Sequence, residues 1–382
     1  MPDAASHIDW ILRHGRMRGM EGLTHGLAER LVADGIPLMR LRFGIRTTHP
    51  LTAAVSVIWE ADGGPPVQQA APLGYEGRST YIGSPMEIIV NTGAPYRKRL
   101  SAPLTDADHR VLHELKSQGA TDYYGMPVPF LNGNGGMFIG VSDAPDGFAQ
   151  DDIDALDRIS AAMTAIAEAY SNRHLAEAIA TSYLGPRTGQ RVLEGQITRG
   201  DIETIEAAIL FSDIRGWTAL NTDHPATEAL KVANRYFEVI SDAVDNNDGE
   251  ILKFMGDGVL ALFPSDGTQD GRVMACRQAI AAAHAAHGIA SLAELPVPFG
   301  IGIHYGAVLY GNVGARERLD FTVLGHAVNT AARVEACCAR LDAPVLVSDV
   351  VARYAGTPTR HVSTEQLKGL RDPMALHAPA IS

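Results

Sequence analysis

The stretch GEILKFMGDGVLALFP, residues 249–264, decides the reading of the fold. Two apolar runs of strand length flank Gly256, Asp257 and Gly258, and Asp-Gly is a strong hairpin signal. A two-stranded hairpin with a carboxylate at its tip is expected. Upstream, EAAILFSD (206–213) reads as a buried strand that ends on a second carboxylate, Asp213. Between them EALKVANRYFEVISDAVDNN (228–247) reads as an amphipathic helix, with Leu230, Ala233, Phe237, Ile240 and Val244 on one side. Downstream come a helix over 270–288, a strand pair over 297–314, a helix over 327–341 and a closing strand over 343–348. This is the order of a ferredoxin-like βαββαβ core with extra elements at its end. In that arrangement the first strand lies beside the hairpin, so Asp213 and Asp257 are expected to meet at one edge of the sheet.

Paired carboxylates are a usual means of holding Mg²⁺ or Mn²⁺, hard cations that take oxygen ligands. Taken singly, neither aspartate is specific. Asp257 reads equally as a turn residue, and Asp213 as an N-cap for a helix starting near Trp217.

Residues 1–150 read as a mixed α/β domain. Leu23, Leu27 and Leu31 share a helix face that Gly35 stops, and LMRLRFGIR (38–46) alternates as a strand. AAVSVIW (53–59), MEIIVN (86–91), YYGMPVPF (123–130) and GMFIGVS (136–142) are further candidate strands. Asn132 to Gly135 form a turn, and Thr105 reads as the N-cap of a helix over 106–119. The tail of the domain, MFIGVSDAPDGFAQDDIDALDRISAAMTAIAEA (137–169), resembles the end of a GAF-type small-molecule sensor: a last strand, a turn led by Phe148, then a long exit helix. A PAS-like domain also fits. Within 151–205, a signalling helix and linker, Ile153, Leu156, Ile159, Met163, Ile166 and Tyr170 form a near-heptad stripe. Two readings stand: a helix packed on its own domain, or a parallel dimer helix carrying a signal to the output. Gly185 and Pro186 should end the helix, leaving 187–201 as a short linker.

Composition bounds the rest. A net charge of −12 argues against sequence-independent nucleic-acid binding, which needs a basic surface. Cys276, Cys337 and Cys338 show no CxxC spacing, so neither a disulfide framework nor a zinc site is expected. No run approaches ~18 apolar residues and the N-terminus has no signal-peptide core, so a cytoplasmic protein without an integral membrane segment is expected. His109 and His113 stand four apart without a third ligand, and His7, His14 and His25 are irregularly spaced. All five read as surface or structural groups, as do His304 and His326. Trp10 and Trp59 read as core residues, or else as the lining of a sensor pocket.

The motifs FSDIRGWT (211–218), ILKFMGDGVLALF (251–263), GIHYGAVLYGNVGA (302–315) and FTVLGHAVNTAARVE (321–335), in this order, resemble the class III adenylate/guanylate cyclase family over about 206–370. The resemblance implies a catalytic domain at 206–382 working as a homodimer, and an α+β protein overall. It implies that Asp213 and Asp257, with the carbonyl of Ile214, hold two Mg²⁺ or Mn²⁺ ions. Lys253 would read adenine together with Thr322, at a position where many members carry Asp and an adenylate-specific subgroup carries Thr. Asn329 would orient the ribose and Arg333 would stabilise the transition state. Lys368 would sit near the polyphosphate, and the backbone N–H groups of Gly216, Trp217 and Thr218 would cradle the β- and γ-phosphates. The two aspartates of one copy would face Lys253, Thr322, Asn329 and Arg333 of the other. Guanylate cyclases typically carry glutamate at the lysine position, so Lys253 points to ATP. A guanylate or relaxed purine cyclase is the alternative reading, and a non-catalytic, dimerising nucleotide-binding module is another. A diguanylate cyclase is set aside because its turn is GGDEF-like, and here it is MGDGV. The input to the first domain, a small molecule or a partner protein, is left open by the sequence.

Overall fold

The computed structural model describes residues 3–48, 52–198, 200–315 and 318–380. The chain divides into two compact units, Met1–Ile179 and Ala180–Ser382. In the first, α1 (Ala4–Ala33), β1 (Arg40–Arg46), β2 (Thr52–Glu60) and β3 (Val67–Pro72) precede α2 (Pro85–Thr92), β4 (Tyr96–Arg99) and α3 (Arg110–Ser117). Then follow β5 (Asp122–Pro129), β6 (Gly135–Ser142) and α4 (Gln150–Leu184), inside which the boundary between the units falls. The strands form one antiparallel sheet in the order β3-β2-β1-β6-β5-β4. Its two faces are each covered. Leu41, Phe43, Val57 and Phe138 pack with α1 and α4, while Met137, Ile139 and Val141 pack with Ile89, Leu112 and Leu115.

The near-heptad stripe is consumed in this core. Leu156, Ile159 and Met163 are fully buried, Ile153 and Ile166 nearly so, and Tyr170 donates to the Gly15 carbonyl at 2.6 Å. The first of the two readings of that stripe is the one observed, since those side chains have no face left for a second helix. The turn led by Phe148 is anchored by Asp122, a fully buried carboxylate. Asp122 accepts from the Phe148 N–H at 3.1 Å and pairs with Arg97 at 2.7 Å.

Three local expectations change. MEIIVN belongs to α2, not to a strand: Ser84 accepts from the Glu87 N–H at 3.1 Å, Pro85 opens the first turn, and Gly93 closes the helix in the left-handed conformation. Apolar runs this short fit either element, and here the caps decide. Thr105 caps no helix. It forms a local turn with Asp108, and α3 starts later, with His109 accepting from the Val111 N–H. α4 ends at Leu184, as Gly185 and Pro186 predict, but 187–201 is not all linker: Pro186 opens α5 (Pro186–Leu193) at the position where a missing N–H costs nothing. The strands β3 and β4, rich in Gln, Arg and Lys, were not foreseen.

The second unit continues with β7 (Ile202–Ile214), α6 (Trp217–Asp223), α7 (Ala226–Asp245), β8 (Glu250–Met255), β9 (Gly258–Ser265), α8 (Gln269–Leu292) and β10 (Phe299–Gly314). It closes with β11 (Leu319–Leu324), α9 (His326–Arg340), β12 (Val345–Ser348), α10 (Asp349–Ala355), β13 (Thr359–Glu365) and β14 (Met374–Pro379). Taken as β7-α7-β8-β9-α8-β10, its core is βαββαβ, and the sheet order is β13-β14-β12-β10-β7-β9-β8 with β11 paired to β10. β7 is central. Ala208 and Leu210 face α7 and α8, while Ala207 and Ile209 face the layer of β11 and α9. That is why AAIL reads as a continuous apolar run rather than an alternating one. On α7 the buried face runs through Ala229, Ala233, Tyr236 and Ile240; Leu230, expected inside, is exposed. Among the described residues no helix is long and apolar enough to cross a membrane.

α5 is fastened by a buried carboxylate. Glu250, at the start of β8, accepts from the Thr188 N–H at 2.9 Å, the Thr188 hydroxyl at 2.7 Å and the Tyr310 hydroxyl at 3.2 Å. Removing one donor leaves a buried charge under-satisfied, which costs about 1–3 kcal/mol. Thr188→Val should therefore lower the stability of the second unit by that amount in urea denaturation, and an unchanged midpoint would show that α5 is not held this way.

Candidate functional site

The register of the central strand sets the geometry. Asp213 stands opposite Gly258 on one side and Gly300 on the other. Asp257 is the residue just before Gly258, at the tip of the β8–β9 turn, where Gly256 takes φ +67. A Cβ at Gly258 would lie 3.3 Å from an Asp213 carboxylate oxygen, so any side chain there would crowd that carboxylate. Burial first, then the charge of Asp257 and a hydrogen bond shared with it, push the Asp213 carboxyl up to about 6. No cation is among the groups that shift it.

A third acid, Glu335, closes on this pair. It was not singled out from sequence, because nothing local distinguishes it on α9. Gly300 and Gly302 let that helix lie tightly on β10, and a Cβ at Gly300 would come within 2.6 Å of a Glu335 carboxylate oxygen. Burial, then the charges of Asp213 and Asp257, raise Glu335 to about 7, with Arg215 acting the other way. Arg215 itself donates to the Ala343 carbonyl at 2.8 Å. Among the described residues no three His, Cys, Asp or Glu side chains converge as a metal cage. Glu335 is an acidic neighbour of the pair, and the two aspartates are the candidate ligand set. Two facing carboxylates, one pushed up to about 6 by burial and by the charge of the other, fit a divalent cation: it would supply the missing positive charge to oxygen donors it prefers.

A second group of residues gathers at β8 and β11. Lys253 forms an ion pair with Asp320. Thr322 lies two residues further along β11, on the same face of the strand. Asp320 was also missed, because its partner is 67 residues away in the chain. On α9, Asn329 is exposed and Arg333 lies one turn later, half-buried. The Arg333 guanidinium lies 3.4 Å from where a Cβ of Gly369 would be, beside the exposed Lys368. Gly216 is the left-handed N-cap of α6, with Trp217 and Thr218 in its first turn. Among the described residues, no hydrogen bond or ion pair joins the aspartates to Lys253, Thr322, Asn329, Arg333 or Lys368 within one chain.

His113 contacts the Thr105 carbonyl at 3.1 Å, and His304 contacts the Ser348 hydroxyl at 2.8 Å and is pushed down to about 4 by burial. All three cysteines are buried and free. Trp59 is buried in the first core, and Trp10 lies under Arg18 and Arg30.

The raised acids carry a signed consequence for stability. Asp213 ordinarily titrates near 3.8 and Glu335 near 4.5, against about 6 and about 7 when folded. Between those limits the native state holds protons that the unfolded chain has released, so stability falls as pH rises through the window. In the presence of EDTA, Asp213→Asn should melt above the parent protein at pH 8, with the difference shrinking toward pH 5. A pH-independent difference, or a lower melting temperature at pH 8, would contradict this electrostatic picture.

Residues 202–377 match the family model described as the adenylate and guanylate cyclase catalytic domain. An uncharacterised protein of Mycobacterium tuberculosis is 38% identical over 184 residues, 46% of this chain and 32% of that protein. An adenylate cyclase of Anabaena cylindrica is 34% identical over 164 residues, 42% of this chain and 32% of that one. The chain thus spans about a third of the length of these relatives. The crystal structure of the adenylyl cyclase CyaB from P. aeruginosa aligns with a TM-score of 0.42 at 26% identity, covering 47% of this chain and 96% of that one.

Proposed function

We propose that the second unit is an adenylate cyclase, a reading supported by the match of residues 202–377 to the adenylate and guanylate cyclase catalytic domain. It converts ATP to 3′,5′-cyclic AMP and pyrophosphate at a site shared by two copies of the chain. The observation that carries this reading is the meeting of Asp213 and Asp257 at the end of a buried strand, without a counter-charge of their own. In the reaction the ribose 3′-oxygen bonds to the α-phosphorus, the bond to the bridging oxygen breaks, and pyrophosphate leaves with the electron pair. The 3′-hydroxyl proton passes to solvent or phosphate, since no side-chain base is assigned.

Asp213, Asp257 and the Ile214 carbonyl would hold two Mg²⁺ or Mn²⁺ ions, which when bound lower the pKa of the 3′-hydroxyl and neutralise phosphate charge. Asn329 orients the ribose. Arg333 places a planar guanidinium where charge develops at phosphorus, a contribution of roughly 10³-fold or more in phosphoryl transfer. Lys368, beside Arg333, and the backbone N–H groups of Gly216, Trp217 and Thr218 hold the polyphosphate. Lys253 donates to an adenine ring nitrogen, and the Thr322 hydroxyl accepts from the exocyclic amine. The ion pair with Asp320 keeps the Lys253 ammonium on the strand that carries Thr322. A second copy in head-to-tail arrangement brings its Lys253, Thr322, Asn329 and Arg333 to the aspartates of the first. The first unit is read as a GAF-like sensor that regulates this site.

Product formation from matched ATP and GTP tests the reading. Cyclic AMP is expected in clear excess over cyclic GMP, and the reverse would assign a guanylate cyclase. Asp257→Ala should abolish turnover with an unchanged circular dichroism spectrum; retained turnover would remove the aspartate pair from the mechanism. Arg333→Ala should lower kcat by at least about 10²-fold with little change in nucleotide affinity. An effect confined to KM would make Arg333 a ground-state binding residue instead.

A further inference from the structure

The first unit holds a cavity of about 400 Å³, on the sheet face turned away from α1 and α4. It opens between β1–β3 and the segment that runs from Tyr75 to Glu114. Its floor is made of small side chains: Gly44 faces Ser56 across β1 and β2, and Ala54 faces Ala71 across β2 and β3. Small residues at four adjacent floor positions leave room that ordinary strand residues would fill. Tyr75 and Tyr81 form an aromatic wall, edge to face with centroids 4.9 Å apart.

Arg42 enters this space from β1. Three arginines, Arg40, Arg42 and Arg46, lie on that face of the strand. Arg40 is paired with Glu60, and Arg46 lies 3.8 Å from Glu76. Arg42 has no carboxylate partner among the described residues. Its guanidinium donates to the Ser56 hydroxyl at 3.1 Å, while its Nε is buried with no acceptor at all. The charged or ionisable groups that act on it are Arg40 and two phenols, Tyr75 and Tyr123. A guanidinium stays charged even when buried, so Arg42 brings the cavity a positive charge with no carboxylate paired to it and an unused donor. Both are costly to leave unmatched. His109 also lines the cavity, as do Arg110 and Glu114, 3.8 Å apart as an ion pair.

We infer that this cavity binds a small organic anion. A carboxylate or phosphate group sits on the Arg42 fork, which matches either bidentately, and a planar or apolar body lies against Tyr75 and Tyr81. The volume lies toward the lower end of the range of about 300–1,000 Å³ for small-molecule sites, which suits a single-ring molecule rather than a polymer. The inference concerns the first unit alone and stands whether or not the second unit makes cyclic AMP.

The full-length protein is titrated with benzoate and with phenyl phosphate, and with benzamide as the neutral isostere. Binding is read by calorimetry and by the melting temperature. At least one anion should bind and raise the melting temperature by several degrees, with no effect of benzamide at the same concentration. A response to benzoate alone assigns a carboxylate ligand, and to phenyl phosphate alone a phosphate. Arg42→Gln should weaken anion binding at least tenfold while melting, without ligand, no lower than the parent. Ala54→Leu, which fills the floor and keeps Arg42, should abolish binding, and it decides the matter if Arg42→Gln does not fold. No response of the parent to either anion, an equal response to benzamide, or undiminished binding in the folded variants would overturn the inference.

Discussion

Two carboxyl groups pressed together at the end of a buried strand repel each other, and the second unit is arranged so that they cannot move apart. Asp213 is fixed by strands on both sides, and Asp257 by a tight turn whose next residue pairs with Asp213 directly. Relief by a side-chain cation is withheld: Arg215, the nearest guanidinium in sequence, donates to a backbone carbonyl instead. Glu335 adds a further acid across Gly300. Such an arrangement destabilises the ligand-free protein at neutral pH and favours any divalent cation that enters, so the strain and the proposed chemistry have one source.

α9 divides the site. Ala331 and Val334 bury one side of the helix, and Glu335 reaches toward the aspartates across β10. On the same helix Arg333 is turned toward Gly369 instead, and Asn329 is exposed. A single chain therefore has acids without the guanidinium and a guanidinium without the acids. The proposed two-fold pairing joins them, and it does so without help from the apolar stripe of α4, which is already spent in the core of the first unit.

What was legible in the sequence follows from how local each signal is. The hairpin around Asp257 and the buried strand ending at Asp213 announce themselves, through Asp-Gly and through a run of apolar residues too short for a helix. Glu335 and Asp320 did not, because each matters only through a partner brought close by strand pairing. MEIIVN misled for a different reason. The uninterrupted run Ile88, Ile89, Val90 and Asn91 is compatible with both periods, and only Ser84, Pro85 and Gly93 at the ends of the segment select the helix. In LMRLRFGIR the alternation identified the strand, but that Arg40 and Arg46 find carboxylates and Arg42 does not became visible only with the neighbouring strands and the Tyr75 segment in place.

The claim on which the functional account rests is that the aspartates and Arg333 act from different copies. It is tested most directly by co-expressing Asp257→Ala and Arg333→Ala chains, the first inactive alone and the second reduced at least about 10²-fold. Random pairing gives half mixed dimers, each with one of its two sites intact, so about a quarter of the parent activity should return. A mixture no more active than either variant by itself would place all the catalytic groups on one chain and contradict the shared site.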